Sequence, residues 1–150
     1  MEKDKGWRRK VMANMAAKLT AAYMESIDMK HEVMGEDGEV ISLSFALDNR
    51  ESLRLVIHFS DNGDSIKISA YDLVKFPSDR KERMYKACNE LNAKYRWVKF
   101  YVDERDDTIT ADTDEIIQMD SCAEHTVQAT VQLVQIADEA YPDIQRALWS

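Results

Sequence analysis

Residues 41–71 read ISLSFALDNRESLRLVIHFSDNGDSIKISAY, and the alternation inside this stretch decides the fold class. Ile41, Leu43, Phe45 and Leu47 alternate with Ser42, Ser44 and Ala46. Leu53, Leu55, Ile57 and Phe59 alternate with Arg54, Val56 and His58, and Ile66, Ile68 and Ala70 with Lys67, Ser69 and Tyr71. A period of two sends successive side chains to opposite faces, so three half-buried strands are expected. Asp61-Asn62-Gly63-Asp64 joins the second to the third, and its Asn-Gly supplies the positive φ of a tight hairpin. Asp48-Asn49-Arg50-Glu51 joins the first to the second. The stretch therefore reads as an antiparallel meander with one apolar face.

Upstream, Trp7, Val11, Met15, Leu19, Ala22 and Ile27 recur at helical spacing among several alanines, which predicts a helix over about residues 7–27. The turn Gly35-Glu36-Asp37-Gly38 follows it. Downstream, Pro77 ends the sheet region, and Ser78 or Asp79 is placed to cap a helix. That helix carries Met84, Cys88, Leu91 and Tyr95 on one stripe. Val98, Phe100 and Val102, then Ile109 and Ala111, predict two further strands around the acidic turn Glu104–Asp107. Ser121 and Glu124 match a capping box and open a long last helix. Val127, Thr130, Val134, Ala137, Tyr141, Ile144 and Leu148 line one side of it, and Pro142 is expected to kink or divide it. The order is α-βββ-α-ββ-α: an α+β fold with one five-stranded antiparallel sheet. Helices are expected to cover the face bearing Ile41, Leu55, Ile57, Ile68, Phe100 and Val102.

Length and composition narrow the function. One hundred and fifty residues, 45% hydrophobic, suit one domain over residues 1–150, with residues 1–6 a frayed basic N-terminus. No apolar run reaches the ~18–20 residues of a membrane span, the N-terminus lacks an export signal, and two cysteines fit a reducing compartment. A cytoplasmic protein without a membrane partner is expected. Lys3, Lys5, Arg8, Arg9 and Lys10 flank Trp7, yet the net charge is −8. An acidic body repels phosphate, so nucleic acid is not an expected partner.

Signatures of chemistry are missing. His31, His58 and His125 are scattered, and Cys88 and Cys122 form no C-x-x-C, so no zinc-ligand spacing exists. The acidic turns at Asp61 and Asp103 place Gly63 and Arg105 where a calcium loop needs an oxygen ligand. There is no G-x-S-x-G elbow and no glycine-rich phosphate loop. Cys122, in the first turn of its helix, has Asp120 and Glu124 nearby to oppose a thiolate. No catalytic residue, metal or cofactor is expected.

Asn89-Glu90-Leu91-Asn92, Trp97-Val98-Lys99-Phe100-Tyr101-Val102-Asp103 and Tyr141-Pro142 resemble the bacterial YbjN domain family, described as sensory transduction regulators. The likeness covers about residues 20–148 and rests on element order more than on any one motif. It implies a fold similar to the small, acidic, dimeric chaperones of type III secretion, and it supplies no catalytic residues. Relatives often carry glycine in the last hairpin, where this chain has Arg105-Asp106-Asp107, which leaves that turn's type open. The resemblance and the residues together point to a non-enzymatic protein-binding module, chaperone-like or regulatory, working as a homodimer. The alternative is a small-ligand sensor with a cavity between the first helix and the sheet.

The polar face of the sheet supplies the candidate site. Alternation sets Val56, Tyr71, Trp97 and Tyr101 there, ringed by Arg54, Lys67 and Lys99. Aromatic residues on an otherwise polar face are the composition of an interface. The competing expectation is that the last helix, or part of the first, covers them within one chain.

Overall fold

The structure is a computed structural model that describes residues 15–150. Trp7, Val11, Met12 and the basic residues Lys3, Lys5, Arg8, Arg9 and Lys10 lie outside the described residues. From Met15 the elements are α1 (Met15–Ser26), β1 (Glu32–Met34), β2 (Val40–Ala46), β3 (Ser52–Phe59), β4 (Ser65–Lys75), α2 (Lys81–Lys94), β5 (Lys99–Asp103), β6 (Thr108–Ile116) and α3 (Cys122–Trp149).

The strands form one antiparallel sheet in the order β1-β2-β3-β4-β6-β5. It has six strands rather than five. The additional strand, β1, has three residues, too few for alternation to reveal it. The meander holds its expected register, with Ile41 opposite Ile57 and Ile57 opposite Ile68. Gly63, at φ +72°, makes the tight turn of the β3–β4 hairpin. β4 runs on past Tyr71 through an irregularity between Ala70 and Val74, with Asp72 at φ +56°. β6 pairs with β4 on both sides of that irregularity, from Ser65 opposite Ile116 to Lys75 opposite Thr108, and so lies between β4 and β5. In the β5–β6 turn Asp107 takes φ +56°. An aspartate tolerates the left-handed region, so it does there what glycine would do.

All three helices among the described residues pack on one face. α1 lies against α3 and reaches β2, α3 crosses β4 and β6, and α2 lies along β5. Beneath them Ile41, Leu55, Ile57, Ile68 and Phe100 are buried and Val102 half-buried, as their alternation requires. On α3, Thr130, Ala137, Ile144 and Leu148 of the expected stripe are buried, whereas Val127, Val134 and Tyr141 are half-buried.

Details at the helices depart from expectation. α1 buries Ala16, Ala17, Thr20 and Met24, whereas Met15, Leu19 and Ile27 of the expected apolar stripe are exposed. Ala16, Ala17 and Thr20 are small enough for α1 to pack closely on α3, where Cys122 Sγ lies 3.8 Å from the Ala16 carbonyl oxygen. The Ser121–Glu124 capping box is absent: Ser121 begins α3 without a side-chain cap bond. Neither Ser78 nor Asp79 caps α2, because a 3₁₀ turn over Ser78–Arg80 intervenes.

α3 also continues through Pro142 for 28 residues without dividing. Proline cannot donate to the carbonyl four residues back, which is that of Asp138. Asn49 Nδ2 donates to that carbonyl instead, at 3.0 Å. The Asp138 carboxylate in turn accepts the N–H groups of Asp48 (3.1 Å) and Asn49 (2.9 Å). The β2–β3 turn is thus latched to α3 at the point where proline leaves an acceptor free.

Candidate interaction face

The side of the sheet away from the helices is built by strict alternation. Ser42 and Ser44 of β2 meet Val56 and Arg54 of β3, His58 meets Lys67 of β4, Ser69 meets Asp112 of β6, and Asp112 and Thr110 meet Lys99 and Tyr101 of β5. No described helix lies across it. Tyr71 and Tyr101 are 40% and 38% exposed, Val56 is half-buried, and Arg54, Lys67 and Lys99 are exposed. Of the two expectations for this face, cover by the final helix or by the described part of the first is not what the structure has.

Six of the seven expected residues fall on this one face. Trp97 is the exception. It precedes β5, takes φ +72° and is 64% exposed, with its carbonyl accepting from Thr113 Oγ1 at 2.9 Å. A left-handed residue breaks the pleat, so strand alternation cannot assign its side chain to a face.

Acids of β6 complete the site. Asp112 is 1% exposed, and its Oδ2 accepts the Tyr101 hydroxyl proton at 2.9 Å. Lys67 Nζ stands 3.9 Å from Asp112 and from Asp114, and Lys99 Nζ stands 3.3 Å from Asp114. The lysines expected to ring the face with positive charge are therefore neutralised by Asp112 and Asp114. Arg54 Nε donates to Ser42 Oγ at 3.0 Å. Burial, then the bond to Asp112, pushes the Tyr101 phenol up to about 12. Tyr71 lies near enough to act on it electrostatically. At the margin Asp103 accepts from the Arg105 side chain at 2.9 and 2.6 Å and from its N–H at 3.1 Å, which lowers its carboxyl to about 2. The polar alternation Thr108, Thr110, Asp112, Asp114 was available in the sequence as a signal for these acids. It is easily overlooked beside the apolar Ile109 and Ala111.

The histidines and cysteines among the described residues are scattered. His58 is exposed on the polar face and His125 pairs with Glu115 at 3.4 Å. Burial pushes the Cys88 thiol up to about 11 and also raises that of Cys122. Among the described residues no three His, Cys, Asp or Glu side chains are grouped to hold a metal ion. None of the described helices is long and apolar enough to cross a membrane. A groove of about 410 Å³ lies between α2 and the end of α3, lined by Leu91, Lys94, Asp143 and Ile144 among others. It is bridged by the Lys94–Asp143 ion pair at 3.2 Å.

A six-stranded antiparallel sheet with helices on one side defines an α+β protein whose other sheet face is open. The chain belongs to the YbjN family, described as "Putative bacterial sensory transduction regulator", whose model matches residues 18–146. The crystal structure of YbjN from E. coli is similar at a TM-score of 0.60 and 15% identity, over 84% of this chain and 91% of that one. A chain in the crystal structure of the ExsC–ExsE complex is similar at a TM-score of 0.55 and 13% identity, over 91% and 96% respectively. At such identities the likeness is one of fold. No curated protein is close enough in sequence to count as a match.

Proposed function

We propose that this protein is a non-enzymatic binding module that takes a protein partner on the open sheet face and works as a homodimer in a regulatory or chaperone-like role. The observation that carries the reading is the composition of that face. Tyr71 and Tyr101 stand exposed beside Val56, over a floor of paired charges, and no described helix covers them. Aromatic area with a polar tip, set among charges that are already neutralised, is inexpensive to desolvate and suits the centre of an interface. Trp97, 64% exposed just before β5, is included in the reading as further aromatic area. Support comes also from the fold shared with a chain solved in a complex, that of ExsC with ExsE, and from membership of a regulator family.

Replacing Trp97 and Tyr101 with Ser tests the reading. The variant is expected to keep its cooperative melt and lose partner recovery from a native lysate. A large drop in melting temperature would instead assign the two residues to the fold. A reproducible thermal shift with a metabolite, with no protein recovered by the wild type, would favour the small-ligand sensor.

A further inference from the structure

The floor of the open face holds polar atoms that the described chain does not satisfy. Ser69 Oγ, Thr110 Oγ1 and Asp112 Oδ1 are buried without a hydrogen-bond partner among the described residues. Each of the three residues is at most 1% exposed. Ser69 is opposite Asp112 across β4 and β6, and Thr110 stands two positions from Asp112 on β6. Alternation therefore sets all three on one face. A buried oxygen left unpaired costs the fold free energy that a bound donor can recover. Tyr101 is opposite Thr110, and its hydroxyl donates to Asp112 Oδ2 at 2.9 Å, so this side chain reaches from one position to the other. It is 38% exposed, and no described helix lies over it. The face's own cations are turned elsewhere. Arg54 Nε donates to Ser42 Oγ at 3.0 Å, and Lys99 Nζ to Asp114 Oδ2 at 3.3 Å. Lys67 Nζ stands 3.9 Å from Asp112 Oδ2, beyond hydrogen-bond reach and beside the oxygen that Tyr101 already serves.

We propose that the protein partner anchors on this face through an arginine side chain, which displaces Tyr101 and donates to Asp112, Ser69 and Thr110. The inference rests on the reading of the open face as a protein-binding surface and names the chemistry of what binds there. A carboxylate oxygen only accepts, and hydroxyl oxygens are able to accept, so the floor calls for a group that only donates. Ammonium and guanidinium both qualify. Acceptors on two strands, and at two positions of one of them, favour N–H groups spread over a plane. A guanidinium has five in that arrangement, whereas an ammonium offers three from one point. Tyr71 and Tyr101 add ring faces on which a guanidinium stacks. Arginine is also the more weakly hydrated of the two cations, so it reaches buried oxygens at less cost. Charge agrees with this choice. A chain at −8 attracts a cation, and the pairing of Lys67 and Lys99 with Asp112 and Asp114 reduces the repulsion those lysines would exert.

Nuclear magnetic resonance titration of the isotope-labelled full chain with a capped Gly-Arg-Gly tripeptide tests the anchor. A lysine tripeptide serves as the control of equal charge, and a citrulline tripeptide as the neutral control of equal shape. The arginine peptide should shift the backbone amides of Ser69, Thr110 and Asp112 saturably, with a dissociation constant about tenfold or more below that of either control. Asp112→Asn keeps an oxygen for the Tyr101 hydroxyl and should abolish these shifts. Ser69→Ala and Thr110→Val should each weaken the arginine peptide, while their melts match or exceed that of the wild type, because each removes a hydroxyl that the fold leaves unpartnered. A lysine peptide that binds equally well would mean diffuse attraction to an acidic chain, and a citrulline peptide that does so would mean stacking alone. Either result overturns the proposal. So do lowered melts with unchanged peptide affinity in the Ser69 and Thr110 variants, which would assign both hydroxyls to bonds within the fold. Partner recovery separates the two readings. If the Ser69 and Thr110 variants keep the partner and the wild type ignores the arginine peptide, the anchor falls and the binding face stands. A Trp97/Tyr101 variant that keeps its partner removes the face itself.

Discussion

Tyr101 shows how a single side chain reports on the open face. It is an acid whose pKa is raised to about 12 by burial and by its hydrogen bond to Asp112. The folded chain keeps that proton between pH 10 and 12 while the unfolded chain gives it up, so the folded state binds more protons there. The associated stability is complete below pH 10 and is lost as pH rises through about 12. An ultraviolet titration should therefore place Tyr101 among the late-ionising tyrosines, with Tyr85 and Tyr95 also raised, and Asp112→Asn should bring Tyr101 earlier. An unchanged curve would assign the whole shift to burial. The cysteines give a second expectation at this scale. With burial raising both thiols, a thiol reagent should label the native chain slowly and the denatured chain at two sites, as thiolate fraction controls the rate. Fast labelling of native Cys122 would instead mean that the helix N-terminus outweighs burial and the nearby Asp120.

At the scale of elements, two side chains do what backbone alone cannot. Asn49 supplies the donor that Pro142 withholds from Asp138. Asn49→Ala should cost about 0.5–1.5 kcal/mol, the net worth of one hydrogen bond. In a Pro142→Ala background the new N–H at 142 reclaims the carbonyl, so the cost of Asn49→Ala should shrink. A double-mutant cycle in urea reads this coupling directly, and strict additivity would mean that the latch acts through the Asp138 carboxylate alone. Asn92 of α2 closes β5 in the same manner: its Nδ2 donates to the Phe100 carbonyl at 3.0 Å and its Oδ1 accepts the Phe100 N–H at 2.7 Å. Asn92→Ala leaves two backbone groups of Phe100 without partners, which should cost about 1–3 kcal/mol. It also frees backbone groups on this edge of the sheet, so light scattering should show mass rising with concentration beyond that of the wild type.

For the molecule as a whole, α3 is the element on which the helical layer depends. Leu133 is fully buried at its middle, and Leu133→Ala should lower unfolding free energy by about 2–5 kcal/mol, measured by chemical denaturation. A loss under 1 kcal/mol would mean that the site collapses around the missing atoms. How far all this was legible follows from particular residues. The alternation from Ile41 to Ala70 set the strands, their antiparallel order and their buried face, because a pleated strand sends every second side chain the same way whatever surrounds it. The same rule placed Val56, Tyr71, Tyr101, Arg54, Lys67 and Lys99 together on the opposite face, and it failed at Trp97 where a positive φ interrupts the pleat. Helix α1 was not legible in this way. With alanines all round it and apolar residues on more than one stripe, either side could have turned inward. Only the packing of α1 against α3 decided for Ala16, Thr20 and Met24 and left Leu19 outside. Contacts between residues far apart in the chain, Asn49 with Asp138 and Asn92 with Phe100, were likewise decided by the tertiary structure, because a hydrogen bond across 89 or 8 positions leaves no periodic trace in a sequence.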